Sequence, residues 1–278
     1  MMTVFTFLSQ ETTIDLSDLR YLFLFVLLFS LNRLFLSHFL IYPISKLVQN
    51  RYRTQFIHRG FDCIHYVLST IIGSMALLQR PYGKCAFYVF NCREFNLVSG
   101  DTMICSYFEK IYYFYFASYY FSDIFWLHTT KDFLVLLFHH LVSVSMIVIC
   151  AVVCRPMIGL SIMLLHDWVD AFLYSGKIAL YLQARSLSNV LMSIFAVLFF
   201  YLRIIQGAFI LYILFTDNSP QERFPKLYLF GKVLFCFLYV CHLVWGVQIV
   251  NALRGIYKGE KIHDTRSDRE PEAFKKTI

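Results

Sequence analysis

The sequence predicts an all-α fold, a polytopic transmembrane helical bundle of seven spans. Of its 278 residues, 58% are hydrophobic and only 15% are charged, and the chain contains 30 Phe and 19 Tyr. This apolar surface exceeds what one globular core can hide, whereas a bilayer accommodates it. Only helices satisfy every backbone group within long apolar segments, and the strand alternation typical of outer-membrane barrels is not seen.

Seven apolar stretches are long enough to cross a bilayer, because a span needs about 20 residues. They cover residues 21–43, 62–79, 108–128, 132–153, 157–182, 188–215 and 226–253. The chain therefore divides into an N-terminal segment with the first span (1–49), a six-helix region (50–257) and a charged tail (258–278).

Basic residues predict how the bundle is oriented. The loop after the first span holds Lys46, Arg51, Arg53 and Arg59, and the end of the chain from Arg254 onward is also basic. Lys and Arg favour the cytosolic side, and seven spans place both segments on one side. The acidic N-terminus and the 80–107 loop then face the lumen. The net charge of +7 follows this topology and does not indicate nucleic-acid binding.

The last four residues, KKTI, resemble the di-lysine signal that returns membrane proteins to the endoplasmic reticulum. This signal requires a cytosolic C-terminus, which the distribution of Lys and Arg predicts independently. We therefore expect a multi-pass protein of the endoplasmic reticulum membrane, with a lumenal N-terminus and a cytosolic C-terminus.

Titratable residues inside the fourth and fifth spans are the feature that membrane crossing does not explain. An Asp or Lys at the centre of a span costs roughly 2.5–3.5 kcal/mol on insertion scales, so each must pair or face water. The residues are His139, His140, His166, Asp167, Asp170 and Lys177.

Helical spacing sorts the residues of the fifth span. At about 100° per residue, Asp170 lies about 40° and Lys177 about 20° from His166, and Gly159 falls on the same stripe. Asp167 lies about 100° away and is predicted to serve a neighbouring helix. The fifth span therefore presents one polar face, with a small residue where another helix can approach closely.

The paired histidines of the fourth span diverge. His139 and His140 point about 100° apart, so that one can face a cavity and the other a supporting partner. The depth of each residue can be counted from the cytosolic end of its span at about 1.5 Å per residue. By this count, Asp170 is the carboxylate whose depth is closest to that of the histidine pair. Arg203 and His242 add buried polar groups in the sixth and seventh spans.

Three roles fit this polar set. The residues could serve only to hold helices together, but pairing alone rarely requires so many titratable groups in adjacent spans. A metal site is disfavoured, because helical ligands usually recur at three or four residues and neither an HxxHH box nor a zinc spacing of cysteines is present. Acid–base or nucleophilic chemistry suits the set best, since an imidazole oriented by a carboxylate can deprotonate a substrate or attack an acyl carbon.

The segment KDFLVLLFHHLVS, followed by GLSIMLLHDWVDAFLYSGKIALY, resembles the Lag motif of ceramide synthases in the TLC-domain family. The likeness covers roughly residues 50–257, which we therefore take as the TLC domain. Tyr174 and Ser143 depart from the family, which commonly has Glu and Thr at these positions. The matching positions are Lys131, Asp132, Phe133, His139, His140, Gly159, His166, Asp167, Asp170, Lys177, Tyr181, Arg203, His242 and Trp245, together with SYYFS at 118–122.

This resemblance implies an acyl-CoA-dependent N-acyltransferase that joins a fatty acyl group to a sphingoid long-chain base. It also implies an acyl-enzyme on one of the paired histidines, which favours attack by His139 or His140 over deprotonation of the amine. We expect Asp170 and Asp167 to orient an imidazole and His166 to assist proton transfer. Lys177 is predicted to pair with Asp170, because both lie on one stripe of the fifth span, and the alternative is that Lys177 and Arg203 attract the anionic CoA. The catalytic residues would be His139, His140, His166, Asp167 and Asp170. The substrate-binding residues would be Ser143, Lys177, Arg203, His242 and Trp245.

No cofactor and no metal are expected, because the thioester of acyl-CoA, the co-substrate, is already activated. The expected partners are acyl-CoA, the sphingoid base and membrane lipid, with a homodimer or a small regulatory subunit as the form of assembly and no nucleic acid. Two alternatives stay open: a non-catalytic TLC-domain protein for lipid handling or translocation, and a transporter that uses the intramembrane charges as a proton relay.

Overall fold

The computed structural model describes residues 8–14, 16–78, 80, 103–127, 133–152, 156–216 and 225–257. Seven long helices make up nearly all of these ranges. The first three are α1 (Leu19–Leu36, continued by a π-helical segment Ser37–Ile41 and a last turn Tyr42–Ser45), α2 (Asn50–Leu78) and α3 (Tyr107–Asp123). The others are α4 (Phe133–Val152), α5 (Pro156–Tyr181), α6 (Arg185–Leu198, a π-helical segment Phe199–Ile205 and Gln206–Thr216) and α7 (Pro225–Tyr257).

The prediction of an all-α polytopic bundle is confirmed, and each predicted span coincides with one helix. By length and composition, α1, α2, α4, α6 and α7 can each cross a membrane. The other two differ in kind: α3 has only 17 residues, and α5 carries Asp167, Asp170 and Lys177. Both are covered by neighbouring helices along most of their length. The helices that are least suited to lipid are therefore the most shielded from it.

A short strand pair, which the sequence did not predict, joins the starts of two helices. Strand β1 (Glu11–Ile14) pairs antiparallel with strand β2 (Met103–Ser106). A capping box then starts α3, because Ser106 accepts a hydrogen bond from the amide of Glu109 and the Glu109 carboxylate accepts one from the amide of Ser106. These contacts place the N-termini of α1 and α3 at the same end of the bundle.

Helix α1 runs parallel to α3. The Phe25 and Phe114 rings stack with centroids 5.3 Å apart, and further along both helices the Ser30 hydroxyl lies 3.2 Å from the Ser122 hydroxyl. The parallel course brings the middle of α1 beside the end of α3, where Asp123 lies.

The opposite end of the bundle, hereafter the basic end, gathers the start of α2, the end of α5, the start of α6 and the end of α7. The Tyr52 ring stacks on Tyr181 at 5.8 Å, and the Ser188 hydroxyl donates to the Gly176 carbonyl across the tight α5–α6 turn. The basic residues of this end within the described ranges include Lys46, Arg51, Arg53, Arg59, Lys177, Arg185 and Arg254.

Gly159 lies at the close helix contact that its position on α5 predicts. A Cβ atom there would overlap with the Tyr113 hydroxyl of α3 and lie 3.0 Å from the Cβ of Cys150 in α4. Tyr113 is buried, so its ring cannot swing aside into solvent. The three helices therefore approach one another at this point only because residue 159 lacks a side chain.

We expect Gly159→Ala to destabilise the protein by about 1–3 kcal/mol, because overpacking of a filled site outweighs the gain in helix propensity. Gly246→Ala is the matched control, since the nearest atom to its new Cβ would be 3.5 Å away, in Phe200. Thermal unfolding in detergent measures both variants. A Gly159→Ala variant as stable as Gly246→Ala would contradict the packing described here.

Candidate functional site

A cavity of about 420 Å³ extends into the bundle from the basic end. Residues from all helices except α1 line it. Towards the basic end its wall includes Lys177, Ser188 and Asn189. The polar groups at its inner end are His139, His140, Asp170 and Arg203, with Trp245 beside them.

His139 occupies the centre of an aromatic cluster at the inner end. Its ring lies edge-on to Trp245 with centroids 5.1 Å apart and 5.8 Å from the ring of His166. The ring of His140, the next residue, lies 5.9 Å away. His139 is buried and still lines the cavity, so a molecule in the cavity can reach its imidazole.

Both ring nitrogens of His140 have hydrogen-bond partners. Nδ1 lies 2.8 Å from the Leu136 carbonyl, and Nε2 lies 3.1 Å from Oδ2 of Asp123. Because a carbonyl can only accept, Nδ1 carries a hydrogen, and an ionised Asp123 places a second hydrogen on Nε2. Both ring nitrogens of His140 are therefore engaged, and neither is left to attack a substrate.

Asp123 belongs to a buried arginine–aspartate network, which comprises Arg33, Arg59, Asp62, Tyr119 and Asp123. Its Oδ1 accepts from Nη1 of Arg33 at 2.6 Å. Arg33 also lies 3.5 Å from Asp62, which in turn accepts from Arg59 at 3.4 Å and from Tyr119 at 3.3 Å. Four charged groups thus neutralise one another inside the bundle.

Arg33, Asp62 and Asp123 were not predicted from the sequence as residues of the site. The aromatic motif noted at 118–122 ends one residue before Asp123. An available signal was the position of each residue in or at the edge of an apolar span, because intramembrane charges usually mark functional or paired sites. The sequence could not predict that Arg33 and Asp123 form an ion pair, since 90 residues separate them.

Asp170 reaches the same cavity as the histidine pair, the position that its depth along α5 predicts. Its ion pair is formed with Arg203 at 2.7 Å. Arg203 lies in the π-helical segment of α6, a distortion that is often found at functional sites, and it also donates to the His166 carbonyl at 3.2 Å. These bonds fix α5 to α6 at the level of the cavity.

Asp170 forms an ion pair with Arg203 of the neighbouring helix, and the pairing of Lys177 with Asp170 stays a prediction. The Lys177 ammonium lies 5.9 Å from the centroid of the Tyr174 ring. Tyr174, the departure from the family glutamate, stacks on Tyr66 at 5.1 Å in the cavity wall.

His166 and His242 form a pair behind His139. The His166 Nδ1 lies 2.6 Å from the Ile162 carbonyl and therefore donates to it, and Nε2 lies 3.2 Å from Nε2 of His242. In a neutral pair, His166 accepts and His242 donates. Neither residue lines the cavity, so both act on His139 from behind, with ring centroids at 5.8 and 6.4 Å from it.

Asp167 and Ser143 face away from the cavity. The Oδ2 atom of Asp167 accepts from Ser69 of α2 and Tyr112 of α3, at 2.6 Å each, because residue 167 lies off the polar face of α5. These contacts correct the expectation that Asp167 orients an imidazole. Ser143 donates to the His139 carbonyl one turn before it at 2.8 Å, so the structure does not direct this hydroxyl at a substrate.

The site can do nucleophilic or acid–base chemistry at one imidazole. His139 lines the cavity beside Trp245, and the Asp170–Arg203 ion pair lines the same cavity. Among the residues that the structure describes, no group of three His, Cys, Asp or Glu has an arrangement that suits a metal ion. Lys131 and Asp132 of the motif lie outside the described residues.

Comparison with known proteins points to one family. A family model described as the TLC domain matches residues 55–251. The chain is 26% identical to ceramide synthase LOH1 of Arabidopsis thaliana over 94% of each chain. It is 35% identical to ceramide synthase 3 of Homo sapiens, over 74% of this chain and 53% of the human protein. It is also 27% identical to ASC1-like protein 1 of Oryza sativa subsp. japonica, over 78% and 74% of the two chains.

The contacts of Asp167 predict a structural role that mutation can measure. We expect Tyr112→Phe to lower the free energy of unfolding by about 1.5–3 kcal/mol, because a buried carboxylate loses one of its two donors. Thermal unfolding in detergent measures the change, with Tyr42→Phe as the control because Tyr42 is 51% exposed. Equal stability of the two variants would contradict the assignment.

Proposed function

Because the chain belongs to the TLC domain family, we propose that it is a ceramide synthase, an acyl-CoA-dependent N-acyltransferase of sphingolipid biosynthesis. It transfers a fatty acyl group from acyl-CoA to the amino group of a sphingoid long-chain base. The observation that carries this conclusion is the match to ceramide synthase LOH1 over 94% of both chains. The cavity that leads to His139 is consistent with it.

The chemistry proceeds in two displacements. A nitrogen of His139 attacks the thioester carbon of acyl-CoA, the C–S bond breaks, and CoA leaves as the thiolate. The amine of the base then attacks the acyl-imidazole, the amide bond forms, and the imidazole is released. The proton lost by the amine balances the one taken up by the thiolate, so the sum is acyl-CoA plus base giving ceramide plus CoA.

The contacts of the histidine pair support His139 as the nucleophile. His140 uses Nδ1 on the Leu136 carbonyl and Nε2 on Asp123, which suits an orienting and electrostatic role. His139 meets the cavity beside Trp245 and has His166 behind it. His166 and His242 are proposed to fix the orientation of the His139 ring and to help move protons during the two steps.

Charged groups of the cavity suit the two substrates. Asp170 is proposed to receive the amine of the base, because it lines the cavity with the histidines and Arg203 holds its carboxylate at 2.7 Å. Lys177 lies nearer the basic end, where the phosphates of acyl-CoA would enter, and it is proposed to attract them. No cofactor has a role in this scheme.

Substrate entry follows from the position of the bundle. The protein is a multi-pass membrane protein, and both the fatty acyl chain and the sphingoid base are lipids. Their chains suit the apolar part of the cavity wall, which includes Leu173, Met192, Phe195, Phe199 and Ile249. The water-soluble part of acyl-CoA suits the polar end of the cavity, so the two kinds of group meet at His139.

We also propose an orientation in the membrane and a form of assembly. We assign the basic end to the cytosol by the preference of Lys and Arg for that side, with the N-terminus in the lumen of the endoplasmic reticulum. The KKTI tail lies outside the described residues, and its role in retrieval rests on the sequence. A homodimer or a small regulatory subunit is the expected form of assembly, which light scattering of the purified complex would test.

Replacement of His139 tests the nucleophile. We expect His139→Ala to lower ceramide formation at least about 100-fold, the scale of losing a nucleophile or base. Purified protein is incubated with long-chain base and acyl-CoA, and ceramide is measured by mass spectrometry. His38→Ala, an exposed histidine of α1, serves as control and should retain activity.

Intact mass after exposure to acyl-CoA alone should reveal an acyl adduct that His139→Ala lacks. Full activity of His139→Ala would overturn the proposed role of this residue. Absence of ceramide formation by the wild-type protein would overturn the proposed function itself.

Replacement of Lys275 and Lys276 by Ser tests the tail. If KKTI is a cytosolic retrieval signal, the variant should leave the endoplasmic reticulum, while a Thr277→Ser variant should stay. Fluorescence microscopy of an N-terminally tagged protein follows the location. Protease digestion of intact microsomes should remove the tail and spare the N-terminal tag. A protected tail would contradict the proposed orientation.

A further inference from the structure

Arg33 lies in α1, outside the match to the TLC domain, which begins at residue 55. It nevertheless contacts Asp123, the acid beside the paired histidines. We propose that Arg33 is a positioning residue for the acylation reaction, which acts through Asp123 and His140 on the nucleophile His139. This inference rests on the proposed function and extends the working site to a helix that lines no part of the cavity.

An unbroken series of short contacts leads from Arg33 to the histidine pair. Arg33 Nη1 lies 2.6 Å from Oδ1 of Asp123, and Oδ2 of the same carboxylate lies 3.1 Å from Nε2 of His140. The other nitrogen of His140 lies 2.8 Å from the Leu136 carbonyl. Each carboxylate oxygen of Asp123 and each ring nitrogen of His140 has its own partner. The orientation of the His140 ring therefore depends on that of the Asp123 carboxylate.

Arg33 is itself held in place on every side. Its guanidinium lies between the rings of Phe61 and Trp126, 4.8 Å from each centroid, and its other terminal nitrogen lies 3.5 Å from Asp62. The side chain is 7% exposed. Arginine can contact two carboxylates and two aromatic faces at once, because its guanidinium is planar and always charged. Lysine, with a single ammonium, cannot do this.

The position of the ion pair argues for a role beyond joining α1 to the bundle. Apolar contacts such as Phe25 with Phe114 already join α1 to α3. A buried ion pair stabilises a fold no better than apolar residues of the same volume, because both ions must be desolvated. The Arg33–Asp123 pair instead ends on the neighbour of the nucleophile, where a fixed charge has chemical use.

That use is orientation at the reaction centre. The ring of His140 lies 5.9 Å from the ring of His139, so the carboxylate that orients His140 also shapes the surroundings of the nucleophile. Loss of Arg33 would remove the partner of Oδ1 of Asp123, and the Asp123 carboxylate would no longer be held in the orientation that fixes the His140 ring.

Steady-state kinetics of ceramide formation test the inference. We expect Arg33→Met to lower kcat by about 10–100-fold, the scale of a misplaced catalytic group, and to change the KM of both substrates by less than about threefold. Arg33→Lys should recover part of the loss, because one ammonium can satisfy one of the two carboxylates. Arg20→Met, an exposed arginine of the same helix, is the matched control and should resemble the wild type.

A double-mutant cycle separates positioning from general destabilisation. If Arg33 acts through Asp123, the Arg33→Met/Asp123→Asn variant should be no slower than Asp123→Asn alone. Losses in kcat that multiply would overturn the inference. Thermal unfolding is measured for each variant, and if Arg33→Met does not fold, Arg33→Lys carries the test: a lowered kcat at normal stability supports the inference, and an unchanged kcat overturns it.

The wild type distinguishes this inference from the proposed function. A wild-type protein that makes no ceramide would overturn the proposed function and this inference together. An active wild type with an equally active, folded Arg33→Met variant would overturn the inference alone.

Discussion

The cost of placing ionised side chains inside a membrane is the constraint on which this structure depends. The bundle meets it by pairing opposite charges from different helices. Arg203 of α6 binds Asp170 of α5, and Arg33 of α1 binds Asp123 at the end of α3. The first pair joins consecutive helices and involves the π-helical segment of α6, and the second joins two helices that are not consecutive along the chain. These ion pairs therefore also hold particular helices together as neighbours.

Pairing also gives the two adjacent histidines different roles. Consecutive residues on a helix point about 100° apart, so His139 and His140 cannot share one environment. His140 points to Asp123 and is held at both ring nitrogens. His139 points to the cavity and to Trp245. One imidazole is thus hydrogen-bonded to Asp123 while its neighbour packs against Trp245, and helix geometry accounts for the two directions.

The carboxylates of α5 are divided in the same way. Asp170 faces the cavity, whereas Asp167, less than one turn earlier, accepts hydrogen bonds from Ser69 and Tyr112 and joins α5 to α2 and α3. The HDxxD motif therefore contains one acid that lines the cavity and one that joins helices. Tyr66 and Tyr174 stack on each other in the cavity wall.

The length of the apolar stretches was enough to predict the seven helices, and helical spacing predicted the polar face of α5, the divergence of the histidine pair and the close contact at Gly159. These features depend on the order of residues within one segment. The choice of partners depended on the tertiary structure: Arg203 of α6 binds Asp170, and Asp123, unnoticed in the sequence, binds His140. Residues far apart in the chain come into contact because of how whole helices pack, and a local sequence pattern contains no information about that packing.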